Sequence, residues 1–494
     1  MHIYKNTLIL RICMNDDYFP HQSAFTDYLT SFLKKTDVAK ITLKLLNKKG
    51  IINIGGVKQS AYNFAKKLNS KVKKSTLKKK DKKLLGKDTS LDIKRLKKII
   101  NEKKIDFLNL GKHPITNNFL KLQNPKNEFY YNLRLIFNSE TKLVSLKKFV
   151  SPKKMFNDKY AHRASASKTM RLAYSKLAKY ILKKYKPESI LEIGSNDGVF
   201  IKHFKKINNI GVEPCKNLAR ITNKMNIKTY DEFWTINLSK KIVKQNKLFN
   251  IIYSANTISH IHNLNETFKA ISNSLDDNGI FILEDPSLVE VLKNKSYDQF
   301  YDEHAYVFSI TALKNITKKA GLQIFNIEKL KTHGGSNRVY FKKNSNNKIK
   351  IENNVTKHLN NEKKIGIHKL DIYRKFSKDV QKSKKKLIEI FKKLKKRGES
   401  IIGYGATYKS STVLNYCNLD HKFIDYFLDT TPTKIGKFTP GTHIPILKYS
   451  GIPHNVRFAF LGAWNFKDEI FKKEKKFIKR GGKFISHVPY PNIL

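Results

Sequence analysis

Residues 190–214 constrain this chain more than any other stretch: Ile-Leu-Glu-Ile-Gly-Ser-Asn-Asp-Gly-Val-Phe, then after an interval Gly-Val-Glu-Pro. An apolar run, Ile190 to Ile193, meets a turn carrying Gly194 and Gly198, and a helical stretch is expected from near Val199. Strand, glycine turn, helix is the opening of a nucleotide-binding α/β unit. A second apolar run ends in Glu213, and an acid about 20 residues past such a turn can grip the two hydroxyls of a ribose. The turn lacks GxGxxG and carries Ser195, Asn196 and Asp197 instead. A carboxylate-lined turn repels a pyrophosphate and suits a cationic nucleoside such as S-adenosylmethionine. The plain alternative is a core turn of a generic α/β domain.

A chain of 494 residues implies two to four domains. Its formal charge of +58 raises a nucleic-acid reading. Against that, the lysines are spread over the whole length and arginine, which reads phosphate and guanine bidentately, is scarce. The field still favours anionic partners, a nucleotide diphosphate among them. Cys13, Cys215 and Cys417 lie far apart and form no CxxC, so neither a zinc site nor a disulfide framework is indicated, as suits a reducing cytoplasm. No apolar run approaches the ~20 residues of a membrane span, and the stretch Leu8 to Cys13 is too short for a signal-peptide core.

In chain order, residues 1–100 form a first block: a strand over Thr7 to Ile12, a helix over Val38 to Leu46, a strand closed by Gly55 and Gly56, a helix over Ser60 to Leu68, and a solvated lysine run from Lys71 to Lys83. Residues 101–165 read as a small irregular lobe. Residues 166–345 alternate strand with helix, with strands expected at 190–193, 210–213, 249–254, 279–284 and a hairpin near 323–328 and 337–342. Residues 346–397 read as a charged helical connector. Residues 398–494 open a second strand–glycine–helix unit at Ser400 to Ala406, with a strand over Phe423 to Leu428. The expected class is α/β: a Rossmann-like domain with a mostly parallel sheet, a second Rossmann-like α/β domain after it, and small N-terminal lobes.

Two resemblances follow from motifs. Ile-Leu-Arg-Ile-Cys at 9–13, Ala-Phe-Thr-Asp-Tyr-Leu-Thr-Ser at 24–31, Gly-Ile-Ile-Asn-Ile-Gly-Gly at 50–56 and Asp-Thr-Ser-Leu-Asp at 88–92 resemble the C-terminal part of dTDP-4-dehydrorhamnose reductase-type sugar-nucleotide reductases. The cofactor glycines and the Tyr-x-x-x-Lys pair of that family have no counterpart here, so the block reads as a truncated remnant without hydride transfer. From about 105 onward the chain resembles the bacterial sugar C-methyltransferases. The matching stretches are Leu-Gly-x-x-Pro at 110–114, the 191–198 turn, Gly-Val-Glu-Pro at 211–214, Asn256-x-x-x-His260 and Tyr-Asp-Glu-His at 301–304. They continue with Thr-His-Gly-Gly-Ser-Asn-Arg at 332–338, Gly-Tyr-Gly-Ala at 403–406 and Thr-Pro-Gly-Thr-His-Ile-Pro at 439–445.

This second resemblance implies a class I methyltransferase domain acting with S-adenosylmethionine on a nucleotide-linked keto-deoxy sugar, in the cytoplasm, for polysaccharide or deoxysugar biosynthesis. It implies cofactor contacts from Glu192, Gly194, Ser195, Asp197, Gly198, Glu213, Pro214 and Asn256, with Asp231, Glu232 and Phe233 near adenine. C-methylation beside a ketone needs a base and a donor to the developing oxyanion. His304 is the expected base, Glu303 the neighbour that holds a proton or a sugar hydroxyl, and Tyr301 or Tyr160 the donor. His260, His333, Arg338, Gly405 and Lys409 are the expected substrate contacts, the last two at a turn with Gly403 that could take a diphosphate or be a plain strand-to-helix turn, and His333 and Arg338 either closing the site or pinning a hairpin. Asn256 and His260 are expected on one helical face and His262 on the surface. The family's lobe holds zinc on two Cys-x-x-Cys pairs. Here the second pair falls on Asn138 and Thr141 and no cysteine lies between 14 and 214, so zinc is not expected. Two other readings stand beside this one: a basic RNA-binding methyltransferase, and a non-catalytic sugar-nucleotide binder. No nucleic-acid or membrane partner is expected from the leading reading.

Overall fold

A computed structural model describes residues 7–46, 48–78, 86–100, 103–123, 127–158 and 160–494. The chain divides into two compact units, Met1–Lys103 and Lys104–Leu494. In the first, the parallel strands Leu8–Ile12 and Gly50–Ile54 pack with the helices Lys35–Leu45 and Lys94–Ile100 around Val38, Leu45, Ile52, Ile54 and Leu96. Ser60 caps the helix Ala61–Leu68 by accepting from the Asn63 amide. Part of the expected solvated run, residues 79–83, lies outside the described residues.

The second unit begins with a four-stranded sheet in the order Tyr306–Val307, Val144–Leu146, Tyr130–Asn138, Lys104–Pro114, all antiparallel. The lobe is therefore regular, and its edge strand is donated by the central domain. A seven-stranded sheet follows, in the order Thr229–Tyr230, Asn208–Val212, Ser189–Ile193, Phe249–Ala255, Leu275–Pro286, Ser336–Lys343, Leu322–Leu330. Its first five strands are parallel, Ser336–Lys343 runs antiparallel to both its neighbours, and Leu322–Leu330 returns to the common direction. Every residue of Ser189–Ile193 is buried, as a strand covered on both faces must be. Chain order reverses on either side of this strand, which opens a crevice at its carboxyl end. The turn at 194–198 stands there. The helix expected from Val199 is only a short 3-10 turn, Ile201–Phe204.

The C-terminal sheet runs Ile446–Lys448, Phe427–Asp429, Ile401–Tyr404, Phe458–Leu461, Lys483–Ser486, Asn492–Ile493, parallel but for the last strand. The stretch before Phe427 that was expected as strand is instead turn and irregular backbone.

The connector is not a passive link. Helix Leu370–Lys396 buries Tyr373, Phe376, Val380, Leu387, Phe391 and Leu394 at helical spacing. Each such side chain contributes about 1.5–3 kcal/mol, which outweighs the weak cost of a lysine-rich outer face. Phe137 and Phe107 of the lobe pack on Tyr373, with ring centroids 4.6 and 5.2 Å apart, while Phe391 packs on Phe460 of the C-terminal sheet. Lobe, helix and C-terminal sheet thus share one apolar core.

Candidate active site

Gly194 turns the chain out of its strand with φ +78° and donates its N–H to the Val212 carbonyl at 2.8 Å. A Cβ there would fall 2.0 Å from the Thr257 hydroxyl, so only glycine fits. Glu213 ends the neighbouring strand. Its two carboxylate oxygens accept from the Asn196 and Cys215 amides, each at 2.9 Å, which fixes the side chain and leaves lone pairs toward the cavity it lines. Burial pushes both Glu192 and Glu213 upward in pKa. Asn196 accepts from Ala164 N at 2.9 Å, and Asp197 accepts from the Ser165 amide and hydroxyl. The turn therefore clamps the segment that leads out of the small lobe.

One cavity of about 1160 Å³ opens on this turn. It is lined by Glu192, Gly194, Ser195, Glu213, Pro214 and Asn256, and equally by Tyr160, Tyr301, Glu303, His304, His260, His333 and Lys409. S-Adenosylmethionine fits this chemistry: a backbone turn a Cβ would fill, a fixed carboxylate at ribose distance along the sheet, and a buried Ser195 hydroxyl without a protein partner. Phe233 and Trp234 line the same wall, whereas Asp231 and Glu232 do not, Glu232 being paired with Lys241.

The 301–304 loop faces the turn across the cavity. The His304 Nδ1 lies 2.7 Å from the Gln299 carbonyl, which can only accept, so Nδ1 carries the proton. Nε2 then accepts from the Tyr301 hydroxyl at 2.8 Å. Burial holds His304 well below the usual histidine pKa and keeps the ring neutral. The His260 ring stacks on it at 5.3 Å and on Phe156 at 5.6 Å, with its own pKa pushed down to about 3 by burial. Its Nε2 has no protein partner. Glu303 accepts from Asn117 Nδ2 at 2.6 Å and from the Tyr160 hydroxyl at 3.0 Å, and burial beside Asp302 pushes its carboxyl up. Asp302 accepts from the Thr116 amide at 3.0 Å and hydroxyl at 2.7 Å. Tyr408 of the C-terminal domain stacks on Tyr301 at 4.5 Å.

Four of the expected contacts lie off the cavity wall. Asp197 is engaged with Ser165, and Gly198 packs where a Cβ would meet Thr222 at 3.1 Å. Arg338 is consumed by carboxylates, with Nε on Glu284 at 2.6 Å and Nη1 on Glu328 at 2.7 Å; it ties two strands together. Gly405 sits behind Thr407, with φ +81° and its N–H on the Leu428 carbonyl. Asn256 and His260 do not share a helical face: Asn256 has φ 49° and the following turn, Ile258–His260, is 3-10. His262 is not a surface residue but stacks on Phe149 at 4.6 Å and lines the cavity.

Other wall residues were not foreseen: Asn117 and Phe156 come from the lobe. His162, two residues past the expected donor Tyr160, lines the cavity together with it. Lys434 comes from the C-terminal domain, donates to the Ala406 carbonyl at 2.7 Å and lies 3.8 Å from Asp429. The Asp429 carboxylate accepts from Ala406 N at 2.8 Å and Thr431 N at 2.7 Å, the same two-amide grip that holds Glu213. A sequence signal existed, an acid at the end of the second strand of the unit, but the lysine's placement depends on the loop.

The lobe does not fit a zinc cage. It has no cysteine, and the Asn138 side chain accepts from the Glu140 and Thr141 amides at 2.9 and 3.0 Å, closing the hairpin. Among the described residues no group of three His, Cys, Asp or Glu could hold a metal.

Three family models tile the second unit: "putative zinc binding domain" over 101–156, "methyltransferase domain" over 160–327 and "C-methyltransferase C-terminal domain" over 331–489. The C-methyltransferase NovU of Streptomyces niveus is 28% identical over 397 residues, which span 79% of this chain and 94% of that protein. Among solved structures, an S-adenosylmethionine-dependent methyltransferase from Clostridium acetobutylicum is 18% identical and covers 34% of this chain and 91% of its own, with a TM-score of 0.28. A protein from Pyrococcus horikoshii OT3 is 17% identical and covers 40% of this chain and 100% of its own, with a TM-score of 0.31. With the sheet order, the tiling family models and a relative matched over nearly its full length, the chain is a C-methyltransferase that uses S-adenosylmethionine.

Proposed function

We propose that the protein methylates a carbon beside the ketone of a nucleotide-activated keto-deoxy sugar, with His304 as the base. The observation that carries this is the His304 tautomer: Nδ1–H is spent on the Gln299 carbonyl, so Nε2 offers a lone pair inside the cavity that also holds Gly194 and Glu213. When bound, S-adenosylmethionine supplies an electrophilic methyl group. Glu213 takes the ribose hydroxyls, Gly194 and Ser195 flank the methionine part, Phe233 and Trp234 border the adenine, and Asn256 lies between cofactor and sugar. The Tyr301 hydroxyl turns from Nε2 to the ketone oxygen as substrate arrives. That frees Nε2 to take the α-proton while the phenol donates to the forming enolate oxygen. The enolate carbon would take the methyl group from the bound cofactor, leaving a neutral thioether, with the abstracted proton held on His304 Nε2. Glu303, kept protonated by burial, and Tyr160 hold a sugar hydroxyl on the other side. Lys409 and Lys434 give the diphosphate end of the cavity its positive charge.

The test is to incubate the protein with methyl-labelled cofactor and a panel of dTDP-4-keto-6-deoxy sugars. Label on a sugar carbon is expected; label in RNA instead, or on no sugar of the panel despite cofactor binding, overturns the reading. His304→Ala is expected to abolish transfer, a loss of at least about 100-fold, while cofactor affinity measured by calorimetry stays within about two-fold. Full turnover in that variant removes His304 as the base.

A further inference from the structure

The bond that sets the His304 tautomer ends on a main-chain carbonyl, and that carbonyl is only as well placed as its residue. Gln299 lies in the buried turn Tyr297–Gln299 and is held from two directions. Its side-chain Nε2 donates to the His333 carbonyl at 2.6 Å, and the same carbonyl accepts from Lys409 Nζ at 3.2 Å. Its chain neighbour, Asp298, is wholly buried, accepts from Trp464 Nε1 at 2.6 Å and lies 3.3 Å from His487 Nε2. Trp464 is itself seated closely: a Cβ on Gly334 would fall 2.4 Å from its ring. Lys409, Trp464 and His487 all belong to the C-terminal domain, and Asp298, Trp464 and His487 do not line the cavity.

Burying a carboxylate among such partners is a poor way to gain stability, because desolvation offsets much of the attraction. What it provides is fixed geometry. The geometry points to Asp298 as a positioning residue: through Trp464 and His487 the C-terminal domain fixes the Gln299 carbonyl, and the carbonyl fixes which nitrogen of His304 is free. This rests on the reading of His304 as the base. A shift of the carbonyl beyond about 0.5 Å weakens the Nδ1–H bond and populates the other tautomer, whose Nε2 cannot take a proton.

Trp464→Phe removes the N–H together with the outer edge of the indole that meets Gly334. It is expected to lower kcat about 10-fold with KM for both substrates within about two-fold, and to lower the thermal midpoint because a buried carboxylate loses its donor. Asp298→Asn, which keeps an oxygen for Trp464 but loses the charge, should change kcat in the same direction. The bond to Gln299 stabilises the imidazolium, so weakening it lowers the base's pKa and moves the acid limb of kcat to lower pH. Of the other groups facing the ring, Tyr301, His260 and His333 keep their own contacts in both variants, whereas Lys409, which lies 5.0 Å over the Trp464 ring and in the field of Asp298, is altered by each. Wild-type kcat with an unmoved acid limb in both variants, or a rise in KM at constant kcat, overturns the positioning role. A His304→Ala enzyme that still turns over sinks the base assignment; wild-type kcat in Trp464→Phe beside an inactive His304→Ala enzyme sinks only the positioning role.

Discussion

His113 shows how a single side chain can be read physically. It is buried in the strand Lys104–Pro114, where Nε2 donates to the Leu110 carbonyl at 3.1 Å and Nδ1 has no partner. Burial lowers its pKa from 6.5 to about 4. Between those values the unfolded chain binds the proton and the folded one does not, so this residue's contribution to stability falls as pH falls through that window. The loss sums to roughly 3 kcal/mol at the acid end. His113→Gln is expected to flatten the acid side of a thermal-midpoint profile between pH 6.5 and 4; parallel profiles for the two proteins would refute the assignment. At this scale the sequence was informative wherever a residue type has one job. Gly194, Glu213 and His304 all stand on one cavity wall. Arg338 had two open uses, closing the site or pinning a hairpin, and the second holds because Glu284 and Glu328, which the motif did not reveal, stand beside it. His262 was misread because its stacking partner, Phe149, is distant in sequence.

The lobe carries the lesson at the scale of elements. A structural zinc contributes on the order of 10 kcal/mol in small domains. Here three other devices stand in its place: the Asn138 hairpin closure, the Val144–Val307 strand pairing, and the Phe137–Tyr373 stack. Chelator treatment is therefore expected to leave the thermal midpoint unchanged, with zinc well below one per chain by elemental analysis. Asn138→Ala, which strips the acceptor from two amides, should cost about 1–2 kcal/mol in denaturant unfolding. A midpoint that drops with chelator would show that metal does contribute. Strands were legible as short apolar runs, continuous where both faces are covered, as in Ser189–Ile193. The lobe's regularity was not, since one of its four strands, Tyr306–Val307, lies far along the chain. Nor did the connector reveal that its apolar stripe joins two cores, because periodicity names a buried face but not what covers it.

Across the whole molecule the charge of +58 acts as a field. A dianionic substrate is steered toward a cavity with Lys409 and Lys434 on its wall, while a cationic cofactor gains nothing from it. Raising salt from about 0.02 to 0.5 M shortens the Debye length several-fold, and kcat/KM for the nucleotide sugar should fall about 10-fold while cofactor affinity holds or improves. A flat salt profile would mean the lysines are compositional ballast. The sequence showed that the C-terminal domain copies the opening of the central one, with strand and glycine turn, while the acid at the end of the next strand, Asp429, went unread. It did not show how differently the copies end. Glu213 faces the cavity, whereas Asp429 lies behind Lys434. A cation parked over that second carboxylate takes the seat a ribose would need. If Glu213 takes a ribose as proposed, the duplicated fold offers one berth for a nucleoside with free hydroxyls, and its twin, capped by Lys434, is a wall.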